Sequence, residues 1–233
     1  MTKELSKPQE TQITVPVETR RGFESSFRQE DLIIPFVKVF QGNPTEYEKY
    51  PNAKPGQIIS TLTGSELPKR CIPIKTSLEW IRYNPRDPKH PDFDKAFKPA
   101  EMIWKSADPN DPRVVKEAAW RKGHDPETPL ALAFRKYLCI FEGESIPVVV
   151  SFYKTSWKNG CAMNTILVSK QGDMFKHAFN LSTKMVKTDQ YSYYVLNSIY
   201  AGAATDEEFQ KAENIFNQFK DVQLAADHVD FTE

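Results

Sequence analysis

The strongest constraint on the fold is a pair of adjacent segments that both have the composition of β-strands. Residues 130–141 and 146–153 are rich in β-branched, aromatic and other apolar residues, and the four residues Glu-Gly-Glu-Ser at 142–145 separate them. Strand-forming runs joined by a short turn that contains glycine are typical of a β-hairpin. Because a hairpin is stable only when further strands or helices cover it, we predict that the chain builds an antiparallel sheet around residues 130–156.

The remaining patterns predict an α+β protein that is mainly β. Thr205 and Glu208 form a capping box, which indicates a C-terminal helix, and a second helix is expected within residues 155–172. Strands do not alternate with helices as they would in a parallel sheet. We therefore predict an OB-like, antiparallel, partly open barrel with a C-terminal helix. Its other strands are expected near residues 32–40, 57–64, 69–83, 174–187 and 191–200.

Composition divides the chain into three parts. Residues 1–30 are polar and lack an apolar period, so they are predicted to form a flexible arm. Residues 31–204 are predicted to form the OB-like domain. Residues 205–233 are predicted to form the C-terminal helix and an acidic tail.

Proline marks a long insertion in the predicted domain. Residues 84–130 contain eight of the 17 prolines, so we predict irregular structure there, interrupted by a helix within residues 111–123. Residues 43–57 also carry proline and asparagine at close intervals and are predicted to be a loop. Long loops in compact domains are often functional, so the insertion is a candidate partner surface.

Several classes of protein are excluded by composition. Cys71, Cys139 and Cys161 are far apart and odd in number, which predicts neither a disulfide framework nor a paired zinc motif. Glycines are too widely spaced for the phosphate-binding loops of nucleotide-dependent enzymes. Neither an apolar signal segment at the N-terminus nor a long apolar run is present. We therefore expect a soluble, non-enzymatic protein that needs no metal or cofactor and does not bind a membrane.

The formal net charge of zero hides a strong asymmetry along the chain. Residues 1–66 carry 8 basic and 9 acidic groups, residues 67–200 carry 21 and 14, and residues 201–233 carry 2 and 8. A basic body suggests a polyanionic partner, and an acidic end can compete for the same surface. The alternative is that these acids only form the solvated face of a helix.

Aromatic rings and cations lie close together in four segments, residues 75–83, 134–137, 152–158 and 175–187. Rings can stack with unpaired bases while lysine and arginine contact phosphates. The alternative is that the rings are core residues, because strand alternation turns every second side chain inward. The candidate nucleic-acid-binding residues are Lys75, Trp80, Arg82, Tyr83, Arg135, Tyr137, Tyr153, Lys154, Trp157, Lys158, Lys176 and Phe179.

The organisation of the chain resembles that of the single-stranded DNA-binding proteins of phages and bacteria. The last seven residues, DHVDFTE, are similar to the acidic tails of those proteins, which carry an aromatic residue near the terminus. Residues 32–44 and 54–64 are similar to phage proteins from replication and recombination gene clusters. The resemblance implies single-stranded DNA as a partner, the cytoplasm of a bacterial host as the location, and a tail that binds replication or recombination proteins through Asp227, Asp230, Phe231 and Glu233.

Three alternative functions stay open. The chain could be a strand-annealing protein or recombination mediator, or a structural protein-interaction module that uses the insertion. A metal-dependent nuclease is the third, because several carboxylates could converge on a divalent ion. These carboxylates are Glu79, Asp92, Asp94, Glu142 and Glu144.

The acidic tail leads to a first prediction. Deleting residues 226–233 should leave the protein folded and tighten its binding to single-stranded oligonucleotides, because a mobile anion no longer competes with phosphates. The gain should be largest at low salt, where screening is weakest. Thermal melts and binding isotherms at two salt concentrations measure both effects, and weaker binding or an unfolded product would contradict the prediction.

Overall fold

The structure is a computed structural model that describes residues 34–123, 127–189, 191–221 and 224. The predicted flexible arm, residues 1–30, and the predicted tail contacts from residue 227 onward lie outside the described residues. The assignments of these two segments therefore stay predictions.

The described chain alternates strands with a few helices. Short 3-10 turns at Lys154–Ser156 and Met174–Lys176 precede α3 and β7. The elements are β1 (Val37–Val39), α1 (Pro44–Lys49), β2 (Ile58–Ser60), β3 (Arg70–Tyr83), β4 (Met102–Ser106), α2 (Pro112–Glu117), β5 (Ala131–Phe141), β6 (Val148–Phe152), α3 (Trp157–Lys170), β7 (His177–Lys187), β8 (Ser192–Ala203) and α4 (Asp206–Phe219).

The main sheet is antiparallel and has the order β6-β5-β3-β7-β8, with β4 paired to the far end of β3. Strand β3 pairs with β5 along most of its 14 residues but with β7 only at Arg70 and Cys71. It therefore joins a three-strand meander, β3-β5-β6, to the hairpin β7-β8. Helix α3 lies between these two groups in the chain. The predicted α+β, mainly β, partly open architecture is confirmed.

The small two-stranded sheet β1-β2 and its flanking residues link the two edges of the main sheet. At one edge, the Val149 amide donates to the carbonyl of Pro35 over 2.8 Å. At the other edge, the side-chain amide of Gln41 donates to the Tyr194 carbonyl over 3.0 Å and accepts from the Tyr194 amide over 2.8 Å. The sheet is therefore bridged across its gap without a continuous ladder between β6 and β8.

The core inside the barrel forms because alternate residues of the strands point inward onto α3. Tyr137, Val150 and Phe152 are fully buried there against Met163 of α3. The Tyr137 hydroxyl donates to the Gly160 carbonyl over 3.1 Å, and burial raises the pKa of this phenol above its usual value. The Tyr137 side chain of β5 therefore contacts the backbone of α3 directly.

Helix α4 covers the outer side of the same strands. Ile72, Ile74 and Leu138 turn outward and pack against the apolar face of α4, as its helical spacing of phenylalanines predicts. The predicted capping box is confirmed, and Glu208 also forms two hydrogen bonds with Arg70, of 2.7 and 2.9 Å. The Arg70 guanidinium holds the pKa of the Glu208 carboxyl below its usual value. Helix α4 is thus fastened to the start of β3.

The described part of the proline-rich insertion carries more hydrogen-bonded structure than its sequence predicts. Asn84 is 2% exposed, and its side-chain amide donates to three backbone carbonyls, those of Asp94, Phe97 and Lys98, over 2.9 to 3.1 Å. The Asn84 side-chain oxygen also accepts from the Asp94 amide over 2.8 Å. A single buried side chain thereby supplies hydrogen bonds that a loop without regular structure otherwise lacks.

Two predictions about local structure are wrong in detail. The predicted loop at 43–57 contains α1, because Asn43 accepts from the Glu46 amide as an N-cap and Pro44 occupies the first helical position. The insertion contains the strand β4, and the predicted helix there ends at Glu117 rather than near Gly123. Turn residues and helix-starting residues are the same types, so composition alone did not separate these outcomes.

The packing of Gly160 leads to a second prediction. Alanine normally stabilises a helix by about 1 kcal/mol relative to glycine. A Cβ atom at position 160, however, would lie 2.7 Å from the Cβ of Phe152, and overpacking costs about 1–3 kcal/mol. Gly160→Ala should therefore lower the free energy of unfolding by about 1 kcal/mol in denaturant titrations.

Val168 provides the matched control for Gly160→Ala. It lies in the same helix and is 71% exposed, so Val168→Ala should slightly raise the stability through helix propensity alone. A higher stability for Gly160→Ala as well would contradict the close contact between α3 and β6.

Candidate nucleic-acid interface

The inner face of the sheet continues beyond the barrel core along the far half of β3. In the strand register Trp80 lies opposite Ala133 of β5 and Ser106 of β4, and Arg82 lies opposite Ala131 and Trp104. Residues opposite each other in an antiparallel pair point to the same side. Trp80, Arg82 and Trp104 therefore share one side of the sheet, and small residues neighbour them on β5.

Arg135 and Trp157 extend this side toward α3. Arg135 lies opposite Phe152 of β6, and its guanidinium carbon is 5.4 Å from the centre of the Trp157 ring, which is a cation–π contact. The Nε atom of Arg135 is buried and has no hydrogen-bond partner among the described residues. Both side chains are half-buried, so each keeps some surface for a ligand.

Helix α2 adds polar contacts at the opposite end. The Glu117 carboxylate accepts from Nε1 of Trp104 and from Nη1 of Arg82, both over 3.0 Å. The guanidinium of Arg113 lies 5.2 Å from the centre of the Trp104 ring. Arg113 also binds Asp111, and this contact lowers the pKa of the Asp111 carboxyl. We call the resulting set the tryptophan face: Trp80, Trp104, Trp157, Arg82, Arg113 and Arg135.

Two exposed lysines flank Trp157. Lys154 begins the 3-10 turn before α3 with a φ of 45°, a conformation that residues other than glycine rarely adopt. Lys158 follows Trp157 in the first turn of α3. The structure thus places the predicted residue Trp157 next to Arg135, with Lys154 and Lys158 near Trp157 in the chain.

Tyr83 and Tyr153 lie on the other side of the sheet. Both pack against Phe134, which is fully buried and points away from the tryptophan face. The Tyr153 and Phe134 rings are stacked with centroids 4.7 Å apart, and the Tyr83 ring meets Phe134 edge-on at 6.3 Å. Of the predicted rings, these two are therefore separated from Trp80 by the thickness of the sheet.

The prediction that Tyr137 and Phe179 stack with bases is wrong, because strand alternation turns both rings into the core. Tyr137 and Phe179 are both fully buried inside the barrel. Neither can offer a ring face to a base while the barrel is folded. The alternative interpretation of the sequence, in which such rings are core residues, is correct for this pair.

Lys75 and Lys176 lie near α4 rather than on the tryptophan face. The Lys75 ammonium donates to the carbonyls of Phe219 and Lys220 at the end of α4, over 3.2 and 2.5 Å. Lys176 is exposed, forms an ion pair of 3.1 Å with Asp173 and lies 6.0 Å from the ring centre of Phe209. Both lysines therefore have structural contacts away from the other predicted residues.

Sequence reasoning missed Trp104 and Arg113. Both lie in the proline-rich insertion, which was predicted to have little regular structure. The signal that was available is the short run MIWKS at 102–106, in which Ile103 and Trp104 are strand-forming residues. A run of five residues is too short to show an alternating pattern.

Two of the acids that suggested a nuclease form ion pairs with basic side chains in the structure. Glu79 forms an ion pair with the fully buried Lys136, and Asp92 binds Arg121 over 2.7 Å. Among the residues described here, no group of three histidine, cysteine, aspartate or glutamate side chains is placed to hold a metal ion. Across the same ranges, no helix has the length and apolar character needed to cross a membrane.

These features define a class of protein: a mainly β, partly open antiparallel barrel that presents tryptophan and arginine side chains together on one side of its sheet. The sequence pattern of the Pam3 phage gp34-like protein family matches residues 8–225. The chain belongs to this family of phage proteins. No curated protein and no solved structure matches it.

The contact between Tyr153 and Phe134 leads to a third prediction. Tyr153→Ala removes a half-buried ring from a stacked pair, so the free energy of unfolding should fall by about 2 kcal/mol. Lys154→Ala changes an exposed neighbour and should leave stability nearly unchanged. Chemical denaturation and oligonucleotide binding should be measured on both variants. Weaker binding by Tyr153→Ala at full stability would mean that Tyr153 contacts DNA instead.

Proposed function

We propose that this protein binds single-stranded DNA without sequence preference and protects it during phage DNA replication or recombination. The observation that carries the proposal is the tryptophan face, where three indole rings and three guanidinium groups occupy one side of an open sheet. The proposed activity is binding, without catalysis and without a cofactor. Binding would take place in the cytoplasm of the bacterial host.

The chemistry of the tryptophan face fits unpaired bases. Stacking of a base on an aromatic side chain contributes roughly 1–3 kcal/mol, so two or three rings provide useful affinity. Every base has a flat face, whereas hydrogen bonds to base edges would be needed to distinguish sequences. Rings on an open side of the sheet therefore favour binding that tolerates any sequence.

The arginines and lysines around the rings fit the phosphate backbone. Arg82 and Arg113 are partly neutralised by Glu117 and Asp111, whereas the guanidinium of Arg135 lies over a ring. Lys154 and Lys158 add exposed charge beside Trp157. This local charge agrees with the basic balance of residues 67–200.

Single strands suit this arrangement better than duplex DNA. Bases within a duplex are stacked on each other, so their faces are available to protein rings only after unpairing, which costs a few kcal/mol. Half-buried tryptophans on a sheet do not form a protruding element that enters a groove. OB-type barrels bind oligonucleotides across the sheet and its loops, in agreement with this geometry.

The fourth prediction compares the binding of labelled oligo-dT with that of a duplex of equal length, and it tests the proposal. The oligonucleotide should bind much more tightly than the duplex and should quench the intrinsic tryptophan fluorescence. Trp157→Ala should weaken binding by roughly 1–3 kcal/mol, and a thermal melt should show that the variant is folded. Equal affinity for duplex, or no binding of oligo-dT at any salt concentration, would refute the proposal.

Two exposed lysines give a matched pair for locating the site. Lys158 lies beside Trp157, and Lys176 lies near α4. Each phosphate contact on a single strand adds about 0.7 to the slope of log affinity against log salt. Lys158→Ala should reduce that slope by about this amount, whereas Lys176→Ala should leave it unchanged. The reverse result would place the binding site near α4.

A further inference from the structure

The insertion exposes an indole ring that the tryptophan face does not include. Trp120 follows α2 and is 71% exposed. Its indole nitrogen has no hydrogen bond, and its ring no stacking partner, among the described residues. A tryptophan in such a position contributes little to a folded core, although tryptophan, like tyrosine and arginine, is enriched in energetically important binding contacts.

The chain on the N-terminal side of Trp120 is fixed to the tryptophan face. Glu117, three residues earlier, accepts hydrogen bonds from both Trp104 and Arg82 over 3.0 Å. Three residues span at most about 11 Å, so the Cα atom of Trp120 lies within that distance of the Glu117 Cα atom. The backbone of Trp120 therefore lies close to the proposed binding surface.

The chain on the C-terminal side of Trp120 is fixed as well. The guanidinium of Arg121 donates to both carboxylate oxygens of Asp92, over 2.7 and 2.8 Å, and its Nε donates to the Thr128 carbonyl over 2.8 Å. The same contact lowers the pKa of the Asp92 carboxyl, so this carboxyl is ionised at neutral pH. Trp120 therefore lies between two anchored residues, which hold its backbone in place before any ligand binds.

The charge around Trp120 favours an anionic ligand. In the sequence, the exposed residues Lys116 and Lys122 stand on either side of Trp120, and Glu117 and Asp92 already form ion pairs with arginines. One exposed acid, Glu127, also lies near this loop, and its carboxylate accepts from the Gly123 amide over 3.2 Å. An exposed ring with cations near it in the chain is the combination that binds a nucleotide of a single strand, by stacking on the base and attraction to the phosphate.

We propose that Trp120 is a further base-stacking residue and that the insertion extends the path of single-stranded DNA beyond the tryptophan face. This inference rests on the proposed function. Because the backbone is anchored at Glu117 and Arg121 on either side of Trp120, binding there loses little backbone freedom, and the gain from stacking is retained in the affinity. The insertion thus has a specific role, which is to add a nucleotide contact at the end of the path.

The position of Trp120 makes its role separable from stability. Trp120→Ala should leave the melting temperature unchanged because the ring is mostly exposed. The dissociation constant for a long oligo-dT should rise roughly 5- to 100-fold. Trp120→Phe keeps an aromatic ring and should restore most of the affinity. Val115→Ala removes another exposed apolar side chain of the insertion, 65% exposed, and should change nothing.

The length of the oligonucleotide identifies where Trp120 acts. With a series of oligo-dT lengths, Trp120→Ala should match the wild type on short strands that occupy only the tryptophan face. It should bind more weakly once the strand is long enough to reach the insertion. Trp157→Ala should bind more weakly at every length.

The outcomes distinguish this inference from the proposed function. If wild-type protein binds oligo-dT and Trp120→Ala binds it equally at every length, the inference is overturned and the proposed function stands. If Trp120→Ala changes sedimentation of the protein without DNA, the ring contacts a second copy of the chain and the inference is likewise overturned. If wild-type protein does not bind oligo-dT, the proposed function itself fails.

Discussion

The structure depends on the length of one strand. The far half of β3 extends past its contact with β7, and among the described strands it pairs only with β5 and β4. Since neighbouring strands share their sides, the side that lines the core near Cys71 becomes an open surface near Trp80. A register shift between Pro73 and Lys75 falls between these two regions. Core and candidate site are therefore two ends of one surface, and a change in the register of β3 would alter both.

The outer side of β3 shows why the site lies where it does. Helix α4 covers this side near Ile72 and Ile74. Phe134, with Tyr83 and Tyr153, covers it near Ile81. Between them Lys136 is fully buried, paired with Glu79 and lying 6.0 Å from the ring centre of Phe36. A buried charge is tolerated when it is paired in this way. The open surface left by these contacts is the inner side of the extension, which α2, the start of α3 and loop residues of the insertion such as Asp92 and Arg121 border.

The sequence allowed most elements to be predicted, because long runs such as those of β3, β5 and α4 carry their period or cap within themselves. It did not allow the site to be predicted completely. Arg135 and Tyr137 belong to the same ring-and-cation pattern at residues 134–137. Arg135 reaches the tryptophan face, whereas Tyr137, two positions later, is buried in the core. Their difference arises where β5 leaves the core, and this boundary is set by contacts between distant segments. Trp104 joins the site only through pairing with β3, which no local pattern encodes.

The link between Gln41 and β8 has a consequence for self-association. A side-chain amide has the same donor and acceptor as a peptide group, so Gln41 occupies both backbone groups of Tyr194 as a neighbouring strand would. Pro35 engages Val149 at the opposite edge. Exposed strand edges are templates on which other chains polymerise, and natural proteins block them with loops and prolines. Under the proposed function, copies that bind side by side along a single strand would gain from blocked edges, because they would then assemble on the DNA rather than on each other's backbones.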